Sequence, residues 1–305
     1  MSGFASDRSS GSAGVAARFL DELQHWVLVD RSADPAALGA GLFLWLREAQ
    51  ANQPSMALVH QFAARALSVL NSGRGRGDDV SALRQNLVES CEAERDDLAA
   101  AIEATARTAV ATVTRRDPWI ATLSNSGSVL AALRALKREG REPRVLLAES
   151  RPGNEGRAMA AALAEAGIPS LVVVDAALPM LLSQATALWL GADAVTEYGV
   201  LNKIGSYAAA LAAREHGVPV HALATRRKFL PAGTPALAIA EHPAAEVWDA
   251  PPAQVQPRNF WFEIVPHGLL QGVIVEDDVI GAAEAKIIAA DRALPDELAA
   301  APPQA

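Results

Sequence analysis

The sequence is poor in cysteine and aromatic residues and has no long apolar run. Its single cysteine, Cys91, excludes an intrachain disulfide framework and a cysteine-based zinc site, which points to a reducing, cytoplasmic setting. The six histidines show no pairing at metal-ligand spacing. Each reads as structural or solvated, with only His267 kept as a pocket candidate, and no metal or other cofactor is expected. Apolar runs such as 42–46 fall far short of the ~20 residues that a bilayer span needs, so no membrane partner is expected. Residues 1–14 are rich in Ser and Gly and lack the apolar stretch of a secretory signal, so they read as a flexible N-terminus. Basic residues are the minority, 27 against 35 acidic ones for a net charge of −8. General attraction to nucleic acid or anionic lipid is therefore not expected. The Arg-Gly repeat at 72–79 holds only two arginines and no aromatic residue, and reads as a flexible surface loop.

What the chain does have is apolar material, 50% of 305 residues, enough for two modest domains. From 15 to 113 the apolar residues recur at helical spacing: Phe19, Leu20, Leu23, Trp26 and Val27, then Leu38, Leu42, Trp45 and Leu46, then Val59, Phe62, Ala66 and Leu70. Asp34-Pro35 supplies a cap and an N1 proline for the second of these helices, and Pro54-Ser55 does the same for the third. Residues 80–112 read as one long helix containing Cys91, a packing residue with no activating base nearby.

After Pro118 the pattern changes to short apolar runs separated by helical stretches, the signature of repeated βα units. The spacing predicts strands at 119–123, 144–148, 171–174, 187–190 and 218–224, and helices near 127–139, 155–166, 176–185 and 203–216. Gly140, Gly167 and Gly217 follow three of the helices where a left-handed residue is wanted, and Pro143, Pro169 and Pro219 stand at or before the next strand. The fold class is α/β, a helical N-terminal domain (15–113) followed by a Rossmann-like parallel sheet domain (118–292) and a flexible tail (293–305).

In an open parallel sheet, ligands bind outside the carboxyl ends of the strands. Here those ends are polar: Ser124-Asn125-Ser126-Gly127-Ser128, Glu149-Ser150-Arg151, Asp175, Gly191-Ala192-Asp193 and Thr225-Arg226-Arg227-Lys228. The first turn opens a helix whose amides can cradle a phosphate, or its Ser and Asn simply cap that helix. Arg151 adds a cation over the same rim. Asp193 follows an apolar run, where burial raises a carboxyl pKa and suits acid/base work, its plainer role being a turn or cap. Asn202 and Lys203 offer an amide and an ammonium at the opening of another helix. The expectation is a cleft between the two halves lined by Ser124, Glu149, Arg151, Asp193 and Lys203.

The stretches TLSNSGSVLAAL, LLAESRP, VVVDAA, GADAVTEYGVLNKIGSY and RRKFLP between Thr122 and Pro231, with NFWFEIVPHGLLQGVIVEDDVI after them, carry a resemblance. Together they are similar to the superfamily of methylthioribose-1-phosphate isomerase, ribose-1,5-bisphosphate isomerase and the alpha, beta and delta subunits of translation initiation factor 2B. The resemblance implies a pocket between a helical and a Rossmann-like domain, a sugar-phosphate ligand and a homodimer. In its isomerase branch, a cysteine after the first strand and the aspartate of the GAD motif move protons between C1 and C2 of an opened sugar phosphate. The aspartate matches Asp193, but the cysteine position holds Ser124, whose hydroxyl ionises several units above a thiol. The substrate-holding Asn-Lys pair matches Asn202 and Lys203. Two N-terminal arginines used for phosphate are replaced within Ser10-Gly11-Ser12-Ala13-Gly14 and Gln53-Pro54-Ser55. Phosphate contacts then fall to Arg151, Lys203, Lys228 and Arg8, or the ligand differs.

Two functions follow. One is an aldose–ketose isomerase of a pentose phosphate with Asp193 as acid/base and Ser124, or a water, in place of the thiol. The other is a non-catalytic sensor or assembly protein that binds a sugar phosphate or nucleotide, as the initiation factor subunits do. Retention of Asp193 favours the first, and loss of the cysteine and arginines favours the second.

Overall fold

The computed structural model describes residues 10–231, 234, 239–292, 294 and 298. Four long helices come first: α1 (Ser12–Val29), α2 (Pro35–Asn52), α3 (Ala57–Arg76) and α4 (Val80–Ala111). Asp34 Oδ1 accepts the amides of Ala36 and Ala37 to start α2, and Asp79 Oδ1 accepts that of Ala82 to start α4. The apolar stripes of all four meet in one core around Phe19, Leu42, Trp45, Phe62 and Leu83. Phe19 anchors it, with ring centroids 5.3 Å from Trp45 and 6.5 Å from Phe62. Each such side chain contributes about 1.5–3 kcal/mol by leaving water. Cys91 lies in this core, and burial pushes its thiol up to about 11, so it is unreactive near neutral pH.

Three boundaries differ from the sequence expectation. Helix α1 already begins at Ser12, inside the segment read as flexible. Helix α3 continues to Arg76, so most of the expected 72–79 loop is helical. The reason is packing: a Cβ on Gly73 would stand 2.5 Å from Leu83 Cδ2, so glycine there lets α3 approach α4, and Gly77, at φ +80°, makes the turn instead. In the expected tail, Leu298 is buried in the helical core, and Gln50 Nε2 donates to its carbonyl at 3.4 Å. The rest of that tail and residues 1–9, Arg8 included, lie almost entirely outside the described residues.

A seven-stranded sheet follows, formed by β1 (Trp119–Leu123), β2 (Arg144–Ala148), β3 (Ser170–Val173), β4 (Ala187–Leu190), β7 (Val220–Leu223), β9 (Gly272–Ile274) and β10 (Val279–Ile280). Its order is β10-β9-β7-β4-β1-β2-β3, parallel except at β10. The order reverses between β1 and β4, which opens a crevice at their carboxyl ends. Helices α5 (Gly127–Arg138), α6 (Glu155–Glu165) and α8 (Ser206–Glu215) cover the sheet, and Gly140, Gly167 and Gly217 take left-handed φ values of +77°, +64° and +67° after them. The helix expected near 176–185 is a single turn, α7 (Leu178–Leu181), flanked by short 3-10 turns. Helix α9 (Ala282–Ala290) packs on β9.

A second sheet was not foreseen. It consists of β5 (Ala194–Val195), β6 (Gly199–Lys203) and β8 (Phe262–Pro266), antiparallel in the order β5-β6-β8. Asn202 and Lys203 therefore end a fully buried strand rather than open a helix, and α8 starts only at Ser206. No helix among the described residues is long and apolar enough to cross a membrane.

Candidate active site

Asp193 stands where β4 leaves the parallel sheet for β5. Its amide donates to Leu201 O at 2.8 Å and its carbonyl accepts the first amide of α3, from Ala57, at 3.0 Å. The strand end is thus clamped to both the second sheet and the helical part. Its side chain is 8% exposed, and burial pushes the carboxyl up to about 6. Lys228, Lys203 and the Ser12 hydroxyl pull it back down, while Glu155 adds to the rise.

A cavity of about 120 Å³ opens beside it. The sheet side contributes Ser124, Glu155, Asp193 and Lys203; the helical part contributes Ser10, Gly11 and the α2–α3 turn from Gln53 to Met56. His242, Trp261 and Phe262 form a third, aromatic wall. The His242 ring stacks on Trp261 at 4.2 Å and meets Phe262 edge-on at 6.4 Å, and Trp261 Nε1 donates to Glu246 Oε2 at 2.9 Å. The two halves of the chain therefore meet at the cleft.

Of the residues expected in that cleft, Ser124, Asp193 and Lys203 line it. Ser124 adopts φ +63° and its amide donates to Ser150 Oγ at 2.7 Å. Ser150 in turn donates its amide to Asp175 Oδ1 at 2.7 Å, so the ends of β1, β2 and β3 are laced together. Lys203 Nζ lies 2.6 Å from Glu155 Oε1 and 4.8 Å from the Trp261 ring centroid.

The other expected residues lie elsewhere. Glu149 turns away to pair with Arg157 at 3.0 Å. Arg151 is exposed, its guanidinium 3.5 Å from Glu246 O, beside a separate groove formed with Pro152, Val247 and Phe260. Lys228 is 2% exposed beneath the strand end, donating to Ala192 O at 2.6 Å and Ser12 Oγ at 2.8 Å, and burial lowers its ammonium to about 8. Asn202 Nδ2 donates to Ser206 Oγ at 2.9 Å. Ser126 caps α5 by accepting the Val129 amide at 3.4 Å. Asn125 and Gly127 sit against the start of α1: a Cβ on Gly11 would be 2.1 Å from Asn125 O, and one on Gly127 would be 3.4 Å from Ala13 Cβ. His267 is buried, with Nε2 on Thr196 O at 2.7 Å, outside the cavity. Among the described residues, no group of three or more His, Cys, Asp or Glu side chains is arranged to hold a metal ion.

Glu155, His242 and Trp261 escaped sequence reasoning. A signal existed for Glu155, an acid in the first turn of a crossover helix directly after the Glu-Ser-Arg-Pro strand end. None existed for His242, and Trp261, though within the NFWFEIVPHGLL stretch, carries no mark of a site residue there.

With this geometry in view, the profile of the initiation factor 2 subunit family matches residues 10–281, spanning both halves and every wall of the cavity. The chain belongs to that family. An initiation factor eIF-2B subunit 2-like protein of Pyrococcus furiosus is 28% identical to this family member over 258 residues, 84% of this chain and 86% of that one. A methylthioribose-1-phosphate isomerase of Ostreococcus lucimarinus is 31% identical over 244 residues, 72% of this chain and 67% of its own length. The crystal structure of translation initiation factor eIF-2B from Pyrococcus horikoshii OT3 superimposes with a TM-score of 0.76 at 25% identity, covering 91% of this chain and 94% of that one. The family member thus has relatives that are sugar-phosphate isomerases and relatives that are eIF-2B-like proteins.

Proposed function

We propose that the cavity binds a pentose phosphate and that Asp193 is the acid/base of an aldose–ketose isomerisation. The observation that carries this is a buried carboxyl, tuned to about 6, on the wall of a cavity of about 120 Å³. In such a step the Asp193 carboxylate takes the proton from C2 of the opened aldose, leaving an enediol, and returns it to C1. The step also needs O1 to gain a proton and the O2 hydroxyl to lose one, and Ser124, or a water on it, on the wall of the same cavity is the group that would carry that proton from O2 to O1. The sugar phosphate and a second copy of the chain, as a homodimer, are the partners of this reading.

Asp193→Asn keeps the shape of the side chain but cannot exchange a proton. It should lower turnover of a pentose phosphate by about 10²–10⁴-fold while changing affinity little. A coupled ketose assay with calorimetry on the same protein measures both. Because Asp193 works as the carboxylate, the rate should climb as pH rises through about 6. The same shift acts oppositely on stability: the native carboxyl holds its proton more tightly than the unfolded one, so this contribution, full below 3.8, is lost as pH passes about 6.

One observation favours a second reading, a sugar-phosphate sensor without turnover. Among the described residues no base is hydrogen-bonded to the Ser124 hydroxyl, its amide is held by Ser150, and the chain's only thiol lies in the helical core. Binding without conversion, even in Ser124→Cys, would decide for the sensor.

A further inference from the structure

We propose that Glu155 sets which sugars the cavity admits: it accepts a ligand hydroxyl and repels a phosphate, so the ligand is a pentose monophosphate and not a bisphosphate. The proposal deepens the pentose-phosphate reading above and rests on it.

Glu155 is the first residue of α6 and is 6% exposed. One carboxylate oxygen, Oε1, is taken by Lys203 Nζ at 2.6 Å; the other, Oε2, is buried with no hydrogen-bond partner among the described residues. A buried acceptor in that state calls for a donor. A sugar hydroxyl in the cavity supplies one, whereas a phosphate dianion supplies none and adds charge of the same sign.

The surrounding charges point the same way. Among the described residues that line the cavity, Lys203 is the single Lys or Arg, against the two acids Glu155 and Asp193. Its ammonium is held by Glu155 on one side and the Trp261 ring on the other, so it is not free to swing toward an anion. The start of α6, where a helix dipole would favour a bound anion, is already occupied by the protein's own carboxylate. Among the described residues the cavity therefore has no cation left over to hold a phosphate at the Glu155 end.

The test is calorimetry with ribose 1-phosphate, ribose 5-phosphate and ribose 1,5-bisphosphate. In the wild type the better monophosphate should bind at least about tenfold more tightly than the bisphosphate. Glu155→Gln removes the repulsion and releases Lys203, and should shrink or invert that ratio by about tenfold or more. The double variant Glu155→Gln/Lys203→Met removes both charges of the buried pair, guarding against a poorly folded single variant, and should bring the ratio toward one. Loss of fold alone would weaken all three ligands together and leave the ratio intact. A wild type that prefers the bisphosphate, or a ratio unchanged in either variant that keeps the wild-type circular-dichroism spectrum, overturns the proposal. If the wild type binds none of the three, the pentose-phosphate reading itself falls and takes this proposal with it.

Discussion

Two sets of charged residues stand at or just after strand ends, and they meet different fates. Arg151, after β2, is exposed, and Glu149 beside it is partly buried, its side chain 19% exposed, in an ion pair with the more exposed Arg157. Asp193 and Lys203, with Lys228 and Glu155, are each more than nine-tenths buried. A place at or after a strand end is common to both sets and so cannot be the cause. What differs is the cover: the second sheet, the α2–α3 turn and the start of α1 close over the β4 end and Glu155, and Arg151 stays outside them. Under that cover charges keep their strength, and the titration of Asp193 and Lys228 is shifted, whereas exposed pairs are screened and contribute about 0–1 kcal/mol.

The sharpest way to probe this contrast is Lys228→Met. It removes the buried ammonium that bridges Ala192 and Ser12 and faces Asp193. Breaking such a buried arrangement should cost about 3–5 kcal/mol in urea unfolding. It should also lift the Asp193 carboxyl further, since Lys228 pulls it down, moving the rising limb of the pH–rate profile upward. A variant as stable as the wild type would mean that the lysine is a bystander.

Gly11→Ala tests the cover itself. Its new methyl would collide with Asn125 O, 2.1 Å away, and push the start of α1 off the β1 end. A loss of about 1–3 kcal/mol in thermal melting is expected. Melting indistinguishable from the wild type would show that α1 is not seated there.

The smallest effect belongs to Arg151→Ala. Because this side chain is exposed and outside the cavity, ligand affinity and stability should each change by less than about 0.5 kcal/mol. A tenfold weaker affinity for a pentose phosphate would return Arg151 to the site and make the two sets of charges alike.

Much of the sheet was legible because parallel strands between crossover helices must be apolar on both faces. Runs such as 119–123 and 144–148, punctuated by Gly140 and Pro143, therefore announce themselves. The site was half legible. Ser124, Asp193 and Lys203 could be named from their places after apolar runs or in the Asn-Lys motif, but Lys203 was assigned to a helix because β6, Gly-Val-Leu-Asn-Lys, has only two large apolar residues and gains its meaning from partners 194–195 and 262–266. His242 carries no such signal, and Trp261, within the NFWFEIVPHGLL stretch, no mark of a site residue.

By itself, the sequence determined the alternation of elements and the presence of a carboxyl at the end of β4, because these depend on local periodicity and on residues adjacent in the chain. Which charges would be buried was decided only by the tertiary structure. Lys203 meets Glu155 across 48 positions and Lys228 meets Ser12 across 216. Burial, and with it the titration of Asp193, is a property of what packs over a residue, and those layers come from distant parts of the chain.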